Sequence, residues 1–131
     1  MEGRPQLANA ELAVMELLWE QEPLTARAIR ERLYPDSDKT QHGTVQRLLQ
    51  RLSDKGFVNR DDALSVHLFT AAVRREEYGS DQLESLAQRL TGGSIAPLMT
   101  QLVAEKRISR EEIDRLRRIL DEDAEAPEER S

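Results

Sequence analysis

The apolar positions of this chain form helical stripes interrupted once by two short β-type runs, and the most informative stripe lies between Thr40 and Gly56. There Val45, Leu48, Leu49 and Leu52 stand at i, i+3, i+4 and i+7, so they stack on the side of a helix that faces a core. At about 100° per residue, Gly43, Gln46, Arg47, Gln50 and Asp54 point away from that core, with Thr44 and Arg51 on one shoulder. Gln and Arg can each engage two groups on a base edge, Thr can touch a thymine methyl or a phosphate, and a glycine lets another backbone come close. This outward face fits a DNA groove better than a second apolar layer. Taken alone, it also describes a solvated amphipathic helix, so the neighbouring elements decide.

Upstream, Asn9 to Gln21 predicts a first helix with Asn9 as N-cap and a broad apolar face of Leu12, Val14, Met15, Leu17, Leu18 and Trp19. Trp19 is the single tryptophan and is expected in the core, where burial contributes on the order of 2 to 3 kcal/mol. Glu22-Pro23 stops this helix, because proline cannot continue the backbone ladder. A second helix opens at Thr25 and runs through Tyr34, with Thr25 as N-cap and Leu24 and Ile29 as a hydrophobic staple. Ile29 and Leu33 form its inner face, with Arg27, Arg30 and Glu31 outside. Tyr34 to Asp38 is turn-forming and leads into the third helix, which Gly56 closes as the C′ residue. Beyond it, Phe57 to Arg60 and Ser65 to Thr70 read as strands flanking a turn at Asp61-Asp62-Ala63-Leu64. Three helices followed by a hairpin is the order of a winged helix-turn-helix, whose third helix enters the major groove.

The rest is helical. Arg74 to Leu90 places Leu83, Leu86, Ala87 and Leu90 on one side; Gly92-Gly93 breaks the chain, and Ser94 is expected to cap a helix carrying Ile95, Leu98, Met99, Leu102 and Val103. Pro97 falls in its first turn, where the missing N–H has no intrahelical partner. Ser109 and Glu112 have the spacing of a capping box, with Ile108 and Ile113 as its staple, and Ile113, Leu116, Ile119 and Leu120 give the last helix an apolar face. These helices offer many aliphatic side chains and almost no aromatics, too little for an independent domain, so pairing with a second copy is expected, the alternative being that they pack back on the same chain as a helical cap. A two-fold dimer also places two recognition helices about 34 Å apart, one turn of DNA. The predicted organisation is mainly α: a winged helix-turn-helix over 1–73, a three-helix dimerisation region over 74–120, and an acidic, unstructured tail over 121–131.

Composition narrows the chemistry. With 131 residues, 38% hydrophobic and 4% aromatic, the chain supports a small domain with an appendage and not a large enzymatic core. It has no cysteine and two histidines, His42 and His67, which excludes disulfides and thiolate metal sites and leaves no expected cofactor or metal. No Ser/His/Asp order, carboxylate pair or phosphate loop stands out, so no enzymatic activity is expected. No apolar run approaches the ~20 residues of a membrane span and no signal-peptide core is visible, so a cytoplasmic protein without direct membrane insertion is expected. The net charge of -6 argues against a nucleic-acid partner, but its distribution weakens that objection. Residues 1–75 hold 11 Lys/Arg and 11 Asp/Glu, and residues 76–131 hold 8 and 14, which accounts for the whole deficit. Between Lys39 and Arg60 stand five basic residues against the single acid Asp54, and a local cation patch is what phosphate binding requires.

Ala10-Glu11, Val14-Met15 and Leu18-Trp19 in the first helix, Thr44-Val45, Leu49, Arg51-Leu52 and Lys55-Gly56 in the third, and Gly92-Gly93 before the fifth occur together in order. On these residues the stretch from about Leu7 to Leu120 resembles the penicillinase repressor (BlaI/MecI/CopY) family of transcriptional regulators. The resemblance implies a bacterial homodimeric repressor on a palindromic operator, often with TACA/TGTA half-sites. In the antibiotic-responsive branch it implies release by cleavage within the fifth helix, in a pathway driven by a membrane-bound sensor metalloprotease. The matching bond here is Gln101-Leu102, where that branch has Asn-Phe. The copper-responsive release needs a cysteine cluster, which this chain lacks. Arg47 stands where the family usually has a small hydroxyl residue, and the hairpin carries Asp61-Asp62 with no basic residue after Arg60, so weak wing contacts are expected.

The expected DNA contacts are therefore Gln41, His42, Thr44, Gln46, Arg47 and Gln50 in the groove, and Lys39, Thr40, Arg51, Lys55 and Arg60 at phosphates. Two other classes stay open from the residues alone: a winged-helix protein-interaction module whose Arg47 face meets an acidic partner, and a regulator that binds a small ligand.

Overall fold

Local chain chemistry explains most of the architecture in the computed structural model, which describes residues 4–36 and 39–125, with the backbone alone at Lys39 and Glu125. Helix α1 spans Asn9–Glu20. Its start differs from expectation: Asn9 is the first helical residue, and the cap is Ala8, whose N–H donates to Glu11 Oε1 at 2.8 Å. The side chain that satisfies the helix start thus comes from inside the first turn instead of from the cap. Val14, Met15 and Leu18 are buried, and Leu12, Leu17 and Trp19 pack partly buried around them. Helix α2, Ala26–Leu33, starts as predicted, with Thr25 Oγ1 accepting from Ala28 N–H at 3.1 Å and Leu24 and Ile29 both buried. Arg30, expected outside, is half-buried, and its Nε lacks a protein partner.

A single 3-10 turn, Lys39–Gln41, leads into α3, His42–Asp54, so the predicted recognition helix begins two residues later than Thr40. Val45, Leu48, Leu49 and Leu52 are all buried, and Gly56 adopts φ +81°, the left-handed C′ conformation. The hairpin pairs β1, Val58–Asp61, antiparallel with β2, Leu68–Ala71, in the register Val58 to Ala71 through Asp61 to Leu68. The expected second strand began three residues too early. Asp61 Oδ1 accepts from Ala63 N–H, which turns the chain at once, and Ser65 to His67 stay in the connection with Leu64 and Val66 exposed. On the other side of β2, Leu24 and Phe69 exchange backbone hydrogen bonds of 3.1 and 2.8 Å, adding a one-residue third strand that ties the α2 entry to the wing.

Helix α4, Arg75–Thr91, begins inside the same unit. Its buried Tyr78 accepts a 2.8 Å hydrogen bond from Leu7 N–H and meets Phe57 edge-on at 5.6 Å, while Trp19 Nε1 donates to Val73 O. Arg4 adds ion pairs to Asp81 and Glu77. Two compact units result, Met1–Ser85 and Leu86–Ser131, each built on its own contacts.

In the second unit, Gly92 and Gly93 take φ +70° and +116°, and Gly93 N–H and Thr91 Oγ1 both bond Ala87 O, ending α4. Ser94 does not cap the next helix, since the N-cap position falls one residue later, at Ile95; the Ser94 carbonyl accepts from Thr91 Oγ1. Helix α5, Ala96–Ala104, starts from Ile95 with no side-chain cap. Helix α6, Arg110–Glu125, is capped by Ser109 Oγ accepting from Glu112 N–H. It runs five residues beyond Leu120, which corrects the expected unstructured tail for 121–125, since no glycine or proline interrupts it before Pro127. The remaining tail, 126–131, lies outside the described residues. Leu98, Met99, Leu102, Ile108 and Ile113 are half-buried in this unit, but Leu90, Ile95, Val103, Leu116, Ile119 and Leu120 are exposed, up to 65% at Leu120. In the first unit, Leu83 is also exposed; Leu86, in the second, is half-buried.

Candidate nucleic-acid interface

The sequence of α3 puts its polar residues where the helical period requires. With the aliphatic stripe turned inward, Gly43, Gln46, Arg47, Gln50, Arg51 and Asp54 are exposed, and Gln41, His42 and Thr44 are half-exposed at the amino end. Thr40 is exposed just before them, and the Lys39 side chain lies outside the described residues. Arg47 leans back along its own helix, with Nη2 3.4 Å from Thr44 Oγ1 and Nη1 near Gly43. Gln50 Nε2 donates to Asp54 Oδ1 at 2.9 Å.

A groove of about 500 Å³ runs beside this face. Its walls are the first turn of α2 (Thr25, Ala26, Arg27), the α3 residues His42, Gln46, Leu49, Gln50 and Ser53, and the wing residues Arg60, Ser65, Val66, His67 and Phe69. His42 Nδ1 is buried here with no hydrogen-bond partner among the described residues. The start of α2 was not predicted to take part. The signal was present in Thr25, since an N-cap marks a helix start, where backbone N–H groups and a positive dipole end favour anions.

Two predicted phosphate contacts are already engaged. Lys55 Nζ lies 2.9 Å from both oxygens of Glu11, so its charge is matched inside the protein and it is a poor phosphate ligand. Burial by itself would raise the Glu11 carboxyl, but the Ala8 N–H and Lys55 outweigh it, with Arg51 adding to them, and its pKa falls below the usual glutamate range. Arg60 Nε meets Asp62 Oδ1 at 2.8 Å, and His67 Nδ1 lies 2.7 Å from the same oxygen. Both Asp62 contacts are at the surface, where such pairs hold weakly, so Arg60 stays available at the groove. The wing carries no further cation between Arg60 and Arg74 other than His67 when protonated.

Among the described residues no group of three or more His, Cys, Asp or Glu side chains could hold a metal, and no helix is long and apolar enough to cross a membrane. The site is therefore a polar and cationic face on one helix, bordered by a helix start and a hairpin. Its donors suit a polyanion with hydrogen-bonding edges.

Known proteins resemble the chain along most of its length. The chain is 27% identical over 122 residues to the penicillinase repressor of Bacillus licheniformis, covering 93% of this chain and 94% of that protein. It is 24% identical over 115 residues to the methicillin resistance regulatory protein MecI of Staphylococcus aureus, covering 88% and 93%. Among solved structures, the monomeric form of Bacillus licheniformis BlaI in complex with the blaP half-operator aligns with a TM-score of 0.49 at 28% identity, over 60% of this chain and 94% of that one. The penicillinase repressor profile matches residues 7–122, and the chain belongs to the penicillinase repressor family.

Proposed function

We propose that the protein is a DNA-binding transcriptional repressor that grips a palindromic operator as a homodimer, in the cytoplasm. The observation that carries this reading is the outward face of α3, where Gln46, Arg47 and Gln50 stand free of the core beside the groove bounded by α2 and the wing. Membership of the repressor family supports it. Gln41, His42, Thr44, Gln46, Arg47 and Gln50 read the groove; Thr40, Arg51, Arg60 and, from the sequence, Lys39 meet phosphates. The exposed apolar flank of the second unit, with Leu90, Ile95, Val103, Leu116 and Leu120, supports pairing with a second copy. Leu83, Leu86, Leu98, Met99, Leu102 and Ile113 extend the same dimerisation set.

The test is binding to duplexes selected from a random-sequence pool, measured across salt. About three cationic phosphate contacts per subunit, six per dimer, give a log–log slope near -5. A slope near zero sinks the DNA reading.

Release by proteolysis extends the proposal. The Gln101-Leu102 bond lies inside α5, with Gln101 exposed and Leu102 half-buried, so a cut there divides the helix. The agent would be a membrane-bound sensor metalloprotease. Incubation with a sensor encoded beside the gene, followed by mass analysis, should give two fragments meeting at that bond, and an uncut chain counts against this extension.

A further inference from the structure

Glu11 sits where a core side chain belongs. It precedes Val14, Met15 and Leu18 by three, four and seven residues, on the buried stripe of α1, and is only 2% exposed. Its carboxylate is met from two sides, by Ala8 N–H at 2.8 Å and by Lys55 Nζ at 2.9 Å to each oxygen. Lys55 is the C-cap of α3. One buried carboxylate therefore joins the first turn of α1 to the last turn of α3.

The rest of that helix contact is aliphatic, through Val45, Leu48, Leu49 and Leu52, and ridge-into-groove packing of such side chains leaves a scatter of about 15 to 20° in helix geometry. A buried carboxylate held by Ala8 N–H and by Lys55 Nζ at 2.9 Å to each oxygen limits how far the two helix ends can shift, and the best-attested use of buried ionic groups is to select one register over its neighbours. Register matters here because base-reading side chains extend well beyond the helix axis. At a radius of about 5 Å, a 10° rotation of α3 moves them by about 1 Å, while a productive contact tolerates roughly 0.5 Å.

We propose that Glu11 and Lys55 are positioning residues: their pair fixes the rotational register of α3, and so the base selectivity of Gln46, Arg47 and Gln50, without either side chain touching DNA. The proposal rests on the reading of α3 as the DNA-contacting helix, and it moves Lys55 from the phosphate contacts to the supporting frame.

The test uses the full chain, the duplex that the unaltered protein selects from a random-sequence pool, and an unrelated duplex of equal length. If the unaltered protein selects nothing, the DNA reading fails before any variant is made, and the proposal falls with it. Otherwise Glu11→Gln and Lys55→Gln, at a temperature where circular dichroism shows them folded, should each lower the preference for the selected duplex roughly tenfold, the worth of about one bidentate base contact. The salt slope on the unrelated duplex should stay unchanged, and the double variant should be no worse than the poorer single one. A Lys55→Gln slope reduced by about one per subunit would mark a phosphate contact and overturn the proposal. Preferences kept at the starting level in both variants would also overturn it. Lys55→Gln retains the Glu11 bond to Ala8 and decides alone should Glu11→Gln not fold. If neither variant folds, the pair is structural only and the proposal fails.

Discussion

Arg47 in the free protein is held by little, since its contact to Thr44 Oγ1, at 3.4 Å, is near the outer limit of a hydrogen bond and is made at the surface. Swinging outward therefore forfeits little, and the guanidinium is free to choose between a guanine edge and a phosphate. If it reads guanine, Arg47→Ala should weaken binding to the selected duplex by about 1 to 3 kcal/mol and relax one position per half-site, as competition with single-base variants of that duplex would show. Equal loss on selected and unrelated duplexes would identify a phosphate contact instead. Glu11 makes a prediction of the opposite kind, on stability. Its folded pKa is depressed, so the stability it contributes is present above the ordinary glutamate value of about 4.3 and is lost as pH falls through the lower folded value. Glu11→Gln should lower stability at pH 7 by about 1.5 to 3 kcal/mol, the worth of hydrogen bonds to a charged group, and flatten the acid limb below the ordinary glutamate value in denaturant titrations. The polar face of α3 was legible because side-chain direction follows the helical period, whereas the fate of Lys55 was not, because its partner lies 44 residues away. The hint was an acid on an otherwise aliphatic stripe of α1, which the apolar pattern alone passes over.

Elements were legible where one local signal dominates and slipped where two compete. Thr25 with its staple, Gly56 and the Ser109 cap fall as predicted, each being a short-range device written in adjacent residues. Asn9 and Ser94 failed as caps for different reasons: at α1 the Glu11 side chain satisfies the helix start from within the first turn, and α5 starts one residue late, from Ile95, with no side-chain cap. The second strand began late because the Asp61 turn and the bridge from Leu24 to Phe69, which no local pattern shows, set the register together. The end of α5 offers a test at this scale. Lys106 holds φ +56°, with Lys106 and Arg107 N–H groups bonded to Val103 and Leu102 carbonyls, so a residue with a Cβ occupies a left-handed C′ position. Lys106→Gly should raise stability by about 0.5 to 1 kcal/mol, measured by chemical denaturation, and a loss would show that the lysine side chain does more than the backbone suggests.

For the whole molecule, the two compact units differ in how much apolar surface they bury. Unit Met1–Ser85 closes a core of its own, and unit Leu86–Ser131 leaves Leu116, Ile119 and Leu120 of α6 open to water. Helix content here was readable from periodicity, but which face stays uncovered is decided by three-dimensional packing. Leu116→Glu should convert a dimer at micromolar concentration to a monomer in sedimentation equilibrium and weaken DNA binding by losing the second half-site contact, while the first unit keeps its fold. The unaltered protein should melt at a temperature that rises with its own concentration. In the proposed dimer, those exposed residues would also tie the lifetime of the polypeptide to its abundance. Scarce chains, rarely paired, would display these apolar side chains to chaperones and proteases and be cleared, while plentiful chains would hide them in one another and persist. The cell would then hold either enough of the protein to work in pairs or almost none.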